Sequence, residues 1–279
     1  MAQLQTGEAD VVYEIPPEQA PTLAGDDVAI VNVPLAQTLV LYLRNNQNSP
    51  LDDPRVRQAI AYGLDVDAIA RATLGDYAKL PVSGGIAVDG SFGYNPDLAA
   101  YPHDPDRAKQ LLAEAGYPDG FTVQFDATQG RYAKDRDAAQ IVASQLAEIG
   151  ITVNVNFMES GLYLSKLFSS ALSPMFMMGQ NSAPTYDNGT SFSSICTGPI
   201  QASNAEPWLC DTSNQLRSVF DDAQRRQMIF ELDRFRHDQA YIVQLFQLPG
   251  IYGISTKVQG LQMEPDYSFR DYLAVELTG

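Results

Sequence analysis

Between residues 121 and 157 the hydrophobic period changes twice, and nothing else in the chain restricts the fold as strongly. Phe121, Val123 and Phe125 alternate with polar neighbours, the two-residue period of a strand with one buried face. From Lys134 to Glu148 the positions Ala138, Ile141, Val142, Gln145 and Ile149 recur at helical offsets, and Gly150 follows as a stop. Ile151, Val153, Val155 and Phe157 then alternate again. Strand, helix and strand joined this closely require two parallel strands and a right-handed crossover, which places the chain in the α/β class.

Two further segments carry their own start and stop signals. Asp53 and Asp104 stand at N-cap positions, where a carboxylate accepts bonds from helix N–H groups that have no partner within the helix. Pro54 and Pro105 follow at the first helical position, where the missing N–H costs nothing, and Gly75 and Gly116 stand where each helix should end. Helices are therefore expected over 53–75 and 104–116. The Gly- and Pro-rich stretch from Leu80 to Pro102 between them has no sustained period and reads as a loop. Further helices are expected over 161–172, 213–220 and 223–237, with Asp221-Asp222 as a cap for the last. Strands are expected over 10–13, 27–33, 38–43, 175–178, 240–245 and 251–255. Thr38 to Leu43 is continuously apolar, as suits a strand buried on both faces.

The helix running from Arg55-Val-Arg-Gln-Ala-Ile60 to Ile69, followed by Asp104 to Phe121 with its Ala-Lys-Gln-Leu-Leu and Glu-Ala-Gly-Tyr segments, closely resembles the solute-binding proteins of ABC importers. The resemblance is to family 5, the dipeptide-, oligopeptide- and nickel-binding type. It implies one lobe of a two-lobed periplasmic-binding-protein fold with hinge strands at both ends. Residues 1–44 would form a hinge and first-lobe segment, 45–240 the ligand-binding lobe, and 241–279 a return to the hinge. Leu4 to Asp10 matches a segment that lies internally in the family, so the resemblance also implies a missing N-terminal lobe. The function implied is capture of a peptide-like or other small polar solute in an interlobe cleft and its delivery to a membrane permease. No cofactor and no catalytic residue are expected, and the intact protein would work in the periplasm. The alternative is a stand-alone interaction module or a self-associating half-protein with no cargo of its own.

Composition narrows the partners. The formal charge of -16 over 279 residues disfavours nucleic acid and anionic membranes. No apolar run reaches the roughly 20 residues of a spanning helix, and residues 1–10 lack the basic and apolar regions of a signal peptide. There is no G-x-S-x-G, Walker lysine loop or G-x-G-x-x-G, so enzymatic readings are weak. His103 and His237 are far apart without an HExxH pattern, and no metal site is expected.

Candidate ligand residues cluster at two loops. An arginine between a strand and a helix can grip a carboxylate with two parallel N–H bonds. The resemblance implies that role for Arg131, with Tyr132 lining the cleft or covering the helix; a solvated loop charge is the plain alternative. After the strand at Met175, peptide-binding relatives carry a tryptophan and then an aspartate for the ligand's ammonium. Here Gly179 or Gln180 replaces the tryptophan, and Asn181 or Ser182 replaces the aspartate. Asp187 matches a second, usually structural aspartate. Gln180, Asn181 and Ser182 suit a hydroxyl-rich, amide or carboxylate ligand, unless Asp187 or an acid of the absent lobe holds an ammonium. Cys196 and Cys210 could by themselves be free buried thiols; the resemblance implies a disulfide between them and an oxidising compartment. Trp208 is expected to pack over that loop.

Overall fold

The computed structural model describes residues 1–85, 87–181, 187, 189, 192, 196, 206–264, 269–270 and 275–277. A six-stranded mixed sheet runs through the molecule. In chain order its main elements are α1 (Ala2–Thr6), β1 (Val11–Val12), α2 (Ala20–Leu23), β2 (Val28–Leu43), α3 (Pro54–Gly63), α4 (Val66–Leu74), α5 (Pro105–Glu114), β3 (Phe121–Thr128), α6 (Asp135–Glu148), β4 (Ile151–Met158), α7 (Ser160–Phe168), β5 (Met175–Asn181), α8 (Pro207–Leu216), α9 (Asp222–Asp238) and β6 (Ile242–Ser255). The strand order is β1-β6-β2-β5-β3-β4. As the period change requires, β3 and β4 are parallel, in register from Phe121↔Ile151 to Thr128↔Met158, with α6 as the crossover.

The apolar run of β2 is buried on both faces. Leu39, Leu41 and Leu43 join the core formed with α3 to α6, while Val40 and Tyr42 join a second core under α7, α8 and α9. The sheet is thus covered by helices on each side, and all five of these side chains are fully buried.

The helix expected over 53–75 is two helices. Leu64 is extended, and the Asp65 carboxylate accepts from the Ala68 N–H at 2.8 Å, a second N-cap that starts α4. Gly63 lets the end of α3 approach α6 closely, since an added Cβ would lie 2.7 Å from Ile149 Cδ1. The two arginines of the α3 motif are both structural. Arg55 is chelated by Asp53 and donates to the Glu114 carbonyl at 2.7 Å, fastening α3 to the end of α5. Arg57, almost fully buried, donates to the carbonyls of Leu51, Asp52 and Gln239.

The paired strands expected near each terminus merge into two long ones. Val28–Leu43 and Ile242–Ser255 form one antiparallel ladder from Val28↔Ser255 to Tyr42↔Ile242, with a register break between Pro34 and Thr38. Pro34 faces Pro249 at the break, and neither can donate to the ladder. The prolines thus bend the ladder without ending the strands. The short helices α1 and α2 carry no amphipathic period and were not expected. α8 begins six residues before the helix expected over 213–220, with Pro207 in its first turn.

Candidate functional site

A cavity of about 520 Å³ opens where four distant parts of the chain meet. One wall is the segment Glu14-Ile-Pro-Pro-Glu18. The facing wall is the β3–α6 loop, Gly130 to Lys134. Gln37, Leu248 and Pro249, at the register break of β2 and β6, complete it.

The loop is shaped by a residue that sequence reasoning passed over. Asp135 is almost fully buried, and its carboxylate accepts from the backbone N–H groups of Gly130, Arg131 and Tyr132 at 2.9, 3.0 and 3.2 Å, and from Arg136 N–H at 2.8 Å. The Thr128 hydroxyl donates to it as well, at 2.8 Å. Charge-assisted bonds of this kind are the strong ones, and here they hold a turn that carries Arg131. An acid in the first turn of a helix was the available signal.

Arg131 and Tyr132 both line the cavity. The Arg131 Nε donates to the Tyr132 hydroxyl at 3.1 Å, and its terminal nitrogens have no protein partner among the described residues. Tyr132 packs against β5 at Gly179, where an added Cβ would lie 2.6 Å from its ring. Lys134 bridges Glu18 at 3.2 Å and Asp137 at 3.4 Å. Desolvation pulls the ammonium pKa down, but the Glu18 bond and both charges outweigh it and hold it above the usual lysine value.

The second predicted cluster begins at the end of β5, beside Gln37. Gln180 and Asn181 end β5, paired with Thr38 and Gln37, and neither lines the cavity. The Gln180 side-chain oxygen accepts from the buried Tyr42 hydroxyl, whose pKa burial pushes up. Asn181 is exposed. Ser182 lies outside the described residues. Asp187 is held by Arg225, with contacts of 2.9 Å to Nε and 2.7 Å to Nη2, and caps the Gly189 N–H at 2.8 Å. It therefore ties Gly189 to α9.

Cys196 and Cys210 form a disulfide, with Cα atoms 5.6 Å apart. Cys210 lies in α8, so the bridge fastens Cys196 to that helix. Replacing both cysteines by serine is expected to cost about 3 kcal/mol of stability, the loop-closure value for a separation of this length, read as a lower urea midpoint. Trp208 packs edge-on against Phe235 at 5.0 Å while remaining half exposed. Met175 and Met177 are core residues. Among the described residues, no group of three or more His, Cys, Asp or Glu is placed to hold a metal, and no helix is long and apolar enough to cross a membrane.

Residues 1–201 match the model of the bacterial extracellular solute-binding proteins, family 5. The chain belongs to this family. Similar family members include the glutathione-binding protein GsiB of Pectobacterium atrosepticum, 38% identical over 164 residues that cover 57% of this chain and 30% of the relative. The di/tripeptide-binding protein 2 of Pseudomonas aeruginosa is 29% identical over 285 residues, covering 99% of this chain and 52% of the relative. The family fold is equally clear in the ABC transporter substrate-binding protein CtaP of Listeria monocytogenes, which superposes with a TM-score of 0.86 at 21% identity, over all of this chain and 58% of that one. The chain thus spans about half the length of the family members it matches from end to end. These relatives are solute-binding proteins, not enzymes.

Proposed function

We propose that this chain supplies the carboxylate-binding wall of an extracytoplasmic solute-binding protein that delivers a peptide-like solute to an ABC permease. The observation that carries the reading is the Arg131 guanidinium. It lines the cavity on a backbone clamped by Asp135, with its terminal nitrogens uncommitted among the described residues. That is a preorganised fork of the kind that takes a carboxylate through two parallel bonds. The glutathione- and di/tripeptide-binding relatives take ligands with free carboxylates, which supports the same class here. The family description as extracellular and the Cys196–Cys210 bridge suit a periplasmic setting.

Residues 45–240 serve in this reading as the ligand-binding lobe, with 1–44 and 241–279 as the hinge side. The register break at Pro34 and Pro249 is where that hinge would bend. A lobe alone offers less burial than a closed cleft, so affinity for the isolated chain should fall near the millimolar level, about 4 kcal/mol.

Titration of the chain with alanyl-alanine, followed by NMR, tests this. Arg131→Ala should weaken binding about ten-fold or more, the worth of a charge-assisted pair. Wild-type chain should lose as much when the dipeptide is C-terminally amidated. Equal affinity for the acid and the amide would reject the assignment.

A further inference from the structure

A second, much smaller chamber of about 10 Å³ lies where α3, α4, the Ser83-Gly84 turn, the end of α9 and β6 meet. Ala61, Val66, Ile242 and Val243 give it apolar walls. It is too small for a solute, but it has the room that one water molecule needs. Two polar side chains belong to its lining, Gln244 of β6 and His237 in the last turn of α9. Gln244 is only 4% exposed. In both residues the Nε2 atom is buried and has no hydrogen-bond partner among the described residues. Such a nitrogen is costly to leave unpaired, and a chamber lined by polar atoms takes up water where an apolar one stays dry.

The His237 ring is fixed from other directions. It stacks on Tyr101 at 4.3 Å, and the Tyr101 hydroxyl donates to the His237 carbonyl at 2.7 Å. Burial pulls the ring's pKa below the usual histidine value, outweighing the pull of the Asp238 carboxylate, so the imidazole is neutral near pH 7. A neutral imidazole has one N–H and one bare nitrogen, and the partner of one decides the state of the other. Nδ1 lies 3.5 Å from Asp238 Oδ1, and a carboxylate only accepts, so the proton belongs on Nδ1. Nε2 is then an acceptor that needs a donor, whereas the Gln244 Nε2 is a donor that needs an acceptor. The two do not bond each other, and a water between them can serve both.

We propose that a single buried water occupies this chamber, accepting from Gln244 Nε2 and donating to His237 Nε2, and so holds His237 as the Nδ1–H tautomer. The water joins the end of α9 to β6 where the two side chains are too far apart to do so directly.

NMR on the chain tests both halves of this. Long-range 1H–15N correlation of the imidazoles reads the tautomer, and His103 is the only other histidine, so His103→Asn leaves one ring to observe. The His237 ring should carry its proton on Nδ1, with Nε2 bare. A long-lived water should also give an NOE to the His237 ring proton Hε1, beside Nε2, and to the Gln244 side-chain amide. Gln244→Leu removes the donor from a site of similar volume, and the water NOE to Hε1 should be lost. The Tyr101 hydroxyl stays in that variant, so an NOE relayed through its exchanging proton would survive there. A surviving NOE, its absence from the wild type, or a ring with its proton on Nε2 each overturns the proposal. Both the tautomer and the wild-type NOE are read with Gln244 intact, so they decide the matter even where Gln244→Leu fails to fold.

Discussion

Asp135→Ala is expected to lower the unfolding free energy by roughly 3–5 kcal/mol and to release the loop that carries Arg131. Four backbone N–H groups and the Thr128 hydroxyl converge on this one almost fully buried carboxylate. Alanine removes every acceptor at once, and each donor that stays buried without a partner costs about 1–3 kcal/mol. Water would reach the exposed part of the loop and recover a share of that, which keeps the total below a simple sum. Asp135→Asn should fall between, because its amide keeps one accepting oxygen but turns a donor toward other donors. Urea unfolding gives the stability change, and hydrogen exchange at Gly130, Arg131 and Tyr132 gives the local one. Unchanged protection at those three amides would show that the loop holds its shape without the carboxylate.

Asp233→Ala should be comparably severe for a different reason. Asp233 and Arg236 form an ion pair of 2.5 Å within α9, both fully shielded from solvent. Arg236 also reaches the Gly84 carbonyl at 3.4 Å, and Gly85 approaches Asp233 so closely that an added Cβ would lie 2.5 Å from its Oδ2. The pair therefore seats the Gly84–Gly85 turn of the long loop on α9. Removing the aspartate strands a buried guanidinium, at an expected cost of about 3–5 kcal/mol. Replacing both partners with apolar residues, Asp233→Leu with Arg236→Met, should recover most of that loss, because neither buried charge remains. A single Asp233→Ala variant within about 1 kcal/mol of wild type would contradict this account. So would a double variant no more stable than the single.

The elements of the fold were readable wherever the signal was local. Asp53, Asp104 and Asp221 cap their helices as expected, their carboxylates accepting from the N–H groups of Arg55, Arg107 and Gln224. The strand–helix–strand of β3, α6 and β4 follows from period alone. The reading failed where two local signals competed. Asp65 is as good an N-cap as Asp53, but it sits inside a segment that reads as one continuous helix. The strands expected over 27–33 and 240–245 stop short of Pro34 and Pro249, yet the two prolines face each other across the ladder and the strands continue past them. The family motif does not reach the candidate site. Its two arginines hold helix ends and carbonyls together, and neither lines the Arg131 cavity.

The candidate site divides in the same way. Arg131 and Tyr132 could be marked because a strand-to-helix loop is a recognisable local feature. Glu14 could not, since nothing near residue 14 indicates that residues 130–134 will face it. Asp187 could equally have been a ligand group or a structural one until Arg225, 38 positions later, was seen to hold it. By itself the sequence determined the caps at Asp53, Asp104 and Asp221, the parallel unit and the family, because each depends on neighbours close along the chain. Only the tertiary structure decided which charges face the cavity and which are already paired, because a charge is committed by whatever packs against it, and those partners lie far away along the chain.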